Sequence, residues 1–297
     1  MRTRAAVLYE SGKPRPYAVS KPLVVEDLEL DPPGTGEVLV ELVGAGLCHS
    51  DLSTIDGSRP RPLPMVMGHE ASGLVREVGP GVVGLKADDH VVFSYVPMCG
   101  RCRTCVDGRP ALCEPGAVAN TAGTLLGGGV RFRKGNTPIL HHLGVSAFSQ
   151  YTVAAQESLI KIDPEFPLAM AALFGCAVLT GVGAVVNTAR VSPGHSFAVF
   201  GLGGVGLSVV MGAKLAGASP IVAVDVLPDK CELALKLGAH HVIDPKADDP
   251  AAAIAELTGG GVDFAFEAVG SAAVLAIAYA SLRRGGTVVS VGLPHPD

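Results

Sequence analysis

The sequence contains no tryptophan and few charged residues, which make up 17% of its 297 residues, against about 25% in typical domains. A chain with so little charge and 48% hydrophobic residues is not expected to be disordered. It also lacks an excess of basic residues, since it has 23 Lys and Arg and 28 Asp and Glu. A net charge of −5 gives no electrostatic reason to bind nucleic acid or an anionic membrane, so neither partner is expected.

The N-terminal residues lack the apolar core of a secretory signal. Only Ala-Ala-Val-Leu at 5–8 follows Arg2 and Arg4 before polar residues return. We therefore expect a cytoplasmic protein. Residues 168–186 are uncharged and about as long as a membrane-spanning helix, but three glycines and the scarcity of aromatic anchors favour a buried helix instead.

Seven cysteines without a signal peptide disfavour a disulfide framework. Four of them share one short segment: Cys99, Cys102, Cys105 and Cys113. Four thiolates on one loop can close a tetrahedron around a structural zinc ion. The first three also match a bacterial iron–sulfur run, but the fourth follows after seven residues instead of three. Four unliganded thiols are the remaining alternative.

The residue pattern differs between the first and second parts of the chain. Short β-rich segments punctuated by Gly and Pro run to about residue 160, for example at 38–43 and 90–93. From about residue 195, apolar strands alternate with helices, for example a strand at 241–243. This alternation predicts an α/β unit with a parallel sheet.

A dinucleotide-binding pattern lies in this second part. Gly201, Gly203 and Gly206 stand between a predicted strand at 196–200 and a predicted helix at 207–215. Such glycines allow a tight turn, close approach of a pyrophosphate and close packing of helix on strand. Asp225 ends the next strand, where a carboxylate binds ribose hydroxyls and repels a 2′-phosphate. The pattern predicts NAD in preference to NADP.

A second set of metal-binding side chains is scattered along the chain: Cys48, His69 and Cys176. Two thiolates and one imidazole match a catalytic zinc site that leaves a fourth position for water or substrate. Spacing alone does not show that the three meet, and each taken singly is more often a structural residue.

These motifs together resemble those of the zinc-dependent medium-chain alcohol dehydrogenases. The matching stretches are Gly-Leu-Cys-His-Ser-Asp at 46–51, Gly-His-Glu-Ala-Ser-Gly at 68–73, the four-cysteine loop, Gly-Cys at 175–176 and Gly-Leu-Gly-Gly-Val-Gly at 201–206. The resemblance covers the whole chain. It implies an α/β protein with a GroES-like, β-rich, zinc-binding catalytic domain at 1–165, followed at 166–297 by a Rossmann domain with a doubly wound parallel sheet that binds NAD.

The resemblance also implies roles for individual residues. Cys48, His69 and Cys176 would bind the catalytic zinc, with Asp51 orienting His69 and Glu70 lying behind the metal. Ser50 would accept a hydrogen bond from the substrate hydroxyl and begin a proton relay. The implied cofactor contacts are His49 at the pyrophosphate, Thr180 and Val205 at the nicotinamide, Gly204 within the glycine-rich turn, and Lys230 beside Asp225 at the adenosine ribose. Tyr95 would line the substrate pocket.

The implied activity is the oxidation of a small primary or secondary alcohol to an aldehyde or ketone, with two zinc ions per chain and NAD as hydride acceptor. Ser53 stands where many relatives have a relay histidine. The alternative of a thiol-conjugated formaldehyde dehydrogenase is weakened, because Ser-Arg-Pro-Arg at 58–61 replaces acidic residues and no arginine follows Cys113 closely.

Length is the largest departure from the family, whose chains run several tens of residues further. We expect a sheet that is incomplete at its C-terminal end, lacking the last strand and a return segment. A truncated, non-catalytic remnant that binds zinc and NAD is therefore a further alternative. Full-length relatives are homodimers or tetramers, and we do not expect a stable oligomer from this chain.

Overall fold

Close contacts divide the chain into two units, Met1–Cys176 and Ala177–Asp297. The computed structural model describes residues 1–294, so the last three residues of the predicted second domain, 295–297, lie outside the described residues. The segment 166–176, which the sequence-based boundary assigns to the second domain, packs with the first unit. Strands and helices are numbered along the chain.

The first unit contains a closed barrel in the order β1-β2-β7-β8-β4. Its strands are β1 (Arg2–Leu8), β2 (Leu23–Leu30), β4 (Met65–Val66), β7 (Phe132–Lys134) and β8 (Thr137–His141). Alternate side chains of these strands point inward, as the two-residue period of a strand requires. Leu28, Leu30, Phe132 and Ile139 form part of the core inside the barrel.

A second, antiparallel sheet of the first unit carries the candidate site. Its order is β10-β6-β5-β3-β9. The strands are β3 (Glu37–Gly46), β5 (Glu70–Val78), β6 (His90–Phe93), β9 (Tyr151–Ala155) and β10 (Leu159–Lys161). Val40, Ala71, Val91 and Phe93 pack in its core.

Short helices connect the strands of the first unit. They are α1 (Tyr17–Ser20), α2 (His49–Ile55), α3 (Arg103–Val106), α4 (Glu114–Ala122) and α5 (Leu168–Ala171), with 3₁₀ turns at Pro110–Leu112, Gln156–Ser158 and Ala172–Gly175. The four-cysteine segment, treated above as one loop, is therefore not uninterrupted, because α3 and a 3₁₀ turn lie within it.

The second unit is built on a parallel sheet of order β13-β12-β11-β14-β15. The strands are β11 (Phe197–Phe200), β12 (Ile221–Val224), β13 (His241–Ile243), β14 (Val262–Glu267) and β15 (Leu282–Ser290). Chain order reverses between β11 and β14, and such a switch point is where open parallel sheets bind ligands.

The helices of the second unit are α6 (Ala177–Gly183), α7 (Gly204–Leu215), α8 (Pro228–Leu237), α9 (Pro250–Thr258) and α10 (Ala272–Ala280), with a π-helical turn at Ala184–Ala189. Side chains cap two of them. The Asp249 carboxylate accepts hydrogen bonds from backbone N–H groups of α9, and the Ser271 hydroxyl accepts one from α10.

The apolar segment 168–186 is not one buried helix. It breaks at Cys176, whose backbone is not helical, and Leu173, Phe174 and Leu179 are about half exposed. Among residues 1–294, no single helix is long and apolar enough to cross a bilayer, although the adjoining helices at 168–175 and 177–189 pass such a test together by length and composition.

A fully buried histidine in the barrel gives a prediction for the pH dependence of stability. Burial, with a smaller effect of nearby Arg131, lowers the pKa of His141 to about 3. An unfolded histidine titrates near pH 6.5, so below that pH the unfolded chain binds a proton that the folded chain refuses. Stability therefore falls as the pH drops from about 6.5 towards 3.

We expect His141→Gln to remove this effect, because an amide does not titrate in this pH range. The amide oxygen can still accept the bond from the Arg131 backbone N–H group that now ends on the His141 Nε2 atom. Between about pH 6 and 4, the wild-type free energy of unfolding should fall more steeply than that of the variant, by up to about 1.4 kcal/mol per pH unit. Urea unfolding at several pH values measures both slopes, and parallel slopes would contradict the prediction.

Candidate functional site

Cys48 lies between β3 and α2, where the strand turns into the helix. Its backbone is extended, and its N–H group donates to the Asp51 Oδ2 atom at 3.2 Å. A carboxylate in the first helical turn satisfies a free backbone donor and faces the positive end of the helix dipole. The Cys48 thiol is thereby held at the start of α2.

His69 follows β4 and directly precedes β5, and it is 1% exposed. Its Nδ1 atom lies 3.0 Å from the Asp51 Oδ1 atom. This bond leaves Nε2 as the ring nitrogen available to a ligand. The Asp51 carboxylate therefore connects the segment of Cys48 with that of His69.

Glu70 begins β5, and Cys176 follows the 3₁₀ turn Ala172–Gly175. Two glycines allow these residues to come close. A Cβ atom at Gly46 would lie 2.1 Å from the Glu70 Oε2 atom, and one at Gly175 would lie 2.3 Å from the Phe93 carbonyl oxygen. The Ser72 hydroxyl also donates to the Leu168 carbonyl at 2.5 Å, which ties the segment of Cys176 to β5.

Together these elements form one cluster. The ligand atoms of Cys48, His69, Glu70 and Cys176 all lie within 4.8 Å of one another, and all but Cys48 are buried. Two thiols, an imidazole and a carboxylate form a donor set that suits zinc, whose ligands in proteins are sulfur, nitrogen and oxygen atoms. The chain segments that the sequence left unconnected thus meet in space.

The side chains of this cluster strongly affect one another's protonation. A hydrogen bond with Cys176 and the nearby His69 ring outweigh burial and lower the pKa of the Cys48 thiol to about 3. Burial opposes the charged form of His69, but Asp51 and Cys48 outweigh it and raise the pKa of the ring to about 10. The bond with Cys48, followed by burial, raises the pKa of Cys176, and burial raises that of Glu70. A cation in the cluster would favour loss of these protons.

The four other predicted ligands also converge. The sulfur atoms of Cys99, Cys102, Cys105 and Cys113 lie within 4.8 Å of one another. Backbone N–H groups point at two of the sulfurs: Cys113 Sγ accepts from Cys99 at 3.3 Å and from Gly116 at 3.4 Å, and Cys99 Sγ accepts from Cys102 at 3.3 Å. Such donors stabilise thiolates, the form that binds metal.

The glycine-rich turn of the second unit joins β11 to α7 at the switch point of the sheet. Gly201 has a φ of +89°, and a Cβ atom at Gly206 would lie 1.8 Å from the Gly201 carbonyl oxygen. Gly203 is the N-cap of α7 and Gly204 is its first residue, and the free N–H groups of this helix end lie at the turn. The turn is as tight as the predicted pyrophosphate site requires, and its role in binding stays a prediction.

Asp225 follows β12 and lies against this turn. Its Oδ2 atom accepts a hydrogen bond from the Leu202 N–H at 2.7 Å and lies 3.9 Å from the Lys230 Nζ atom. The four lone-pair positions of a carboxylate leave room for further donors. Of the predicted nicotinamide contacts, Thr180 lies on α6 and Val205 in the first turn of α7, and both are half-buried.

The remaining predicted site residues lie around the first cluster. The Ser50 Oγ atom is 3.7 Å from the Cys48 Sγ atom, and the Tyr95 ring meets the His69 ring edge-on with centroids 5.7 Å apart. His49 is exposed at the first position of α2. The assignments of all these residues stay predictions.

Sequence reasoning missed two buried residues. His142 lies with its Nδ1 atom 3.2 Å from the Asp51 Oδ1 atom. Glu267 ends β14, and its Oε1 atom accepts N–H bonds from Val269, Gly270 and Ser271. No spacing rule marks His142, whereas an acidic residue ending a predicted strand of a parallel sheet is a signal that could have found Glu267.

Two family models match the chain. The alcohol dehydrogenase GroES-like domain matches residues 34–164, and the zinc-binding dehydrogenase domain matches residues 204–297. These matches confirm a GroES-like domain followed by a Rossmann-like domain in a mixed α/β fold, as predicted from the sequence.

Among curated proteins, the S-(hydroxymethyl)glutathione dehydrogenase of Synechocystis sp. is 43% identical over 99% of this chain and 78% of its own length. Among solved structures, an alcohol dehydrogenase zinc-binding domain protein from Burkholderia ambifaria has a TM-score of 0.92 and 41% identity, and the benzyl alcohol dehydrogenase of Acinetobacter calcoaceticus has 0.90 and 37%. Each structure matches all of this chain and 78% of its own chain. The chain therefore belongs to the zinc-dependent medium-chain alcohol dehydrogenases, a family of oxidoreductases.

Proposed function

We propose that the protein oxidises a primary alcohol to an aldehyde and transfers the hydride to NAD. The observation that carries this proposal is the cluster of Cys48, His69, Glu70 and Cys176, with four ligand atoms of three chemical kinds within 4.8 Å of one another. A cluster built only for packing has no need to bring two thiols, a histidine and a carboxylate together under burial.

In this proposal Cys48, His69 and Cys176 hold the catalytic zinc, and Glu70 stands beside it. When bound, zinc would supply a Lewis acid to the alcohol oxygen, and NAD would accept the hydride. Asp51 accepts a hydrogen bond from the Nδ1–H group of His69 and so leaves Nε2 free for the metal. Ser50 would accept a hydrogen bond from the substrate hydroxyl and, as it receives that proton, pass its own hydroxyl proton on to water or a ribose hydroxyl. Tyr95 would line the pocket beside His69.

The four cysteines of the loop hold a second, structural zinc. Their N–H···S bonds and the absence of any carboxylate from the set suit a closed site of four thiolates. Two zinc ions per chain follow from the two clusters.

NAD binds on the second unit at the glycine-rich turn, with Asp225 and Lys230 at the adenosine ribose. With NAD bound, Thr180 and Val205 would contact the nicotinamide, and His49 would contact the pyrophosphate. The carboxylate of Asp225 disfavours a 2′-phosphate at the ribose, so NAD is preferred to NADP.

A primary alcohol is favoured because benzyl alcohol and S-(hydroxymethyl)glutathione, named by two of the relatives, both end in a CH₂OH group. S-(hydroxymethyl)glutathione itself is a second candidate substrate, supported by 43% identity to that relative. Arg59 and Arg61 stand where the glutathione-linked members of the family carry acidic residues, which favours a smaller alcohol.

Zinc content tests both metal sites. We expect about two zinc ions per chain by elemental mass spectrometry, about one in Cys176→Ser and about one in Cys105→Ser, because each variant removes a ligand from a different cluster. One zinc in the wild type, located by the same variants at the cysteine loop, would favour a non-catalytic remnant. Iron instead of zinc would overturn the assignment of both sites.

A substrate comparison separates the two candidate alcohols. We expect NAD reduction with benzyl alcohol, with kcat/KM at least about tenfold above that for formaldehyde mixed with glutathione, because the basic segment 58–61 does not match the family pattern for glutathione. Cys176→Ser is the matched control for background reduction. The reverse order of kcat/KM would identify S-(hydroxymethyl)glutathione as the substrate.

Cofactor choice is tested at Asp225. We expect Asp225→Asn to keep a hydrogen-bond acceptor for the Leu202 N–H and to lose the charge that repels a 2′-phosphate. The ratio of kcat/KM for NADP to that for NAD should rise by about tenfold or more. Steady-state kinetics with both cofactors measures this ratio, and an unchanged ratio would show that Asp225 does not select the cofactor.

A further inference from the structure

The Asp51 carboxylate is in contact with three groups from three chain segments. Oδ2 accepts the Cys48 N–H bond at 3.2 Å, Oδ1 lies 3.0 Å from the His69 Nδ1 atom, and the same Oδ1 lies 3.2 Å from the His142 Nδ1 atom. The side chains of Asp51, His69 and His142 are all buried, at 3%, 1% and 2% residue exposure. The first two contacts belong to the proposed metal site, whereas the third has no assigned role.

His142 is held firmly where it meets Asp51. Its N–H group points to the Val66 carbonyl and the Ser146 hydroxyl, both at 3.2 Å, and its carbonyl accepts bonds from Val145 and Ser146. The ring lies edge-on to that of His69, with centroids 5.5 Å apart. The backbone of His142 therefore cannot shift without disturbing the end of the barrel strand β8.

The Nδ1 atom of His142 is a buried polar atom with no hydrogen bond of good geometry among residues 1–294. Buried polar atoms in native proteins have partners as a rule, and each exception calls for an explanation. The Asp51 Oδ1 atom at 3.2 Å can supply this partner after a small rotation of either side chain. The donor set of the metal cluster fits this arrangement, since Asp51 Oδ1 already faces the His69 ring nitrogen that does not bind metal.

We propose that His142 is a positioning residue for the catalytic metal: by its contact with Asp51 it fixes the rotation of that carboxylate, which in turn fixes the ring of His69. This inference rests on the proposed catalytic zinc. Removing a carboxylate that contacts a metal-binding histidine lowers the metal affinity by about 10- to 100-fold. His142 adds a further support to such a carboxylate from a segment that contains no metal ligand.

The test compares variants of His142 in the zinc-loaded protein. His142→Asn places an amide nitrogen close to the position of the ring Nδ1 atom. His142→Leu has a side chain of similar volume without a donor, and His142→Gln places its amide nearer the position of Nε2. His141→Gln is the matched control, because His141 is equally buried next in sequence but bonds to Arg131 and Ser146 instead of Asp51. Circular dichroism and thermal unfolding check the fold of every variant.

The readout is the rate at which zinc passes to a chromophoric chelator at fixed pH. The zinc of the four-cysteine loop serves as an internal control in each protein. We expect His142→Leu and His142→Gln to lose one of two zinc ions about tenfold faster than the wild type. His142→Asn and His141→Gln should lose both at wild-type rates. In Asp51→Asn, adding His142→Leu should cause little further change, since His142 acts through Asp51.

Wild-type rates in His142→Leu and His142→Gln would overturn the inference. Equal acceleration for both zinc ions, or the same acceleration in His141→Gln, would also overturn it, because the effect would then be a general loss of stability. A wild-type protein that binds zinc at the four-cysteine loop alone would contradict the proposed catalytic site itself, whereas two ions with unchanged release contradict only the role of His142.

Discussion

The arrangement of the candidate active site depends on the buried carboxylate of Asp51. A buried carboxylate is costly unless hydrogen bonds and nearby positive groups compensate it. The Cys48 N–H group and the His69 ring provide that compensation. The His142 and His69 rings outweigh burial and lower the pKa of the Asp51 carboxyl. Satisfying this one side chain brings the β3–α2 and β4–β5 connections together, and these carry two of the predicted zinc ligands.

The third predicted ligand reaches the cluster through close backbone packing instead of charge. Cys176 comes from a segment that lies over β3, β5 and β6, and the approach is possible only because Gly175 has no Cβ atom facing the Phe93 carbonyl. The helix that the apolar composition predicts across this segment is interrupted at Cys176. The interruption gives the cysteine a non-helical backbone and directs its thiol into the cluster.

In the second unit, carboxylates hold the loops at one edge of a parallel sheet. Its parallel sheet reverses strand order between β11 and β14, and the glycine-rich turn and the loop after Glu267 lie beside that reversal. Asp225 bonds to the Leu202 N–H and so links the end of β12 to the turn. Glu267, through three backbone N–H bonds, shapes the neighbouring loop, so buried carboxylates organise both units.

The sequence by itself determined the features that depend on short spacing. The four-cysteine cluster, the glycine-rich turn with Asp225, and strands such as 90–93 and 241–243 were predictable, because their residues are neighbours along the chain or follow a local period. Residue spacing did not group Cys176 with Cys48 and His69; the family resemblance implied that grouping, and the tertiary structure brings the three together. Only the tertiary structure decided that His142 meets Asp51. These contacts join residues far apart in the chain, and they arise from packing between segments, which no local pattern of residues encodes.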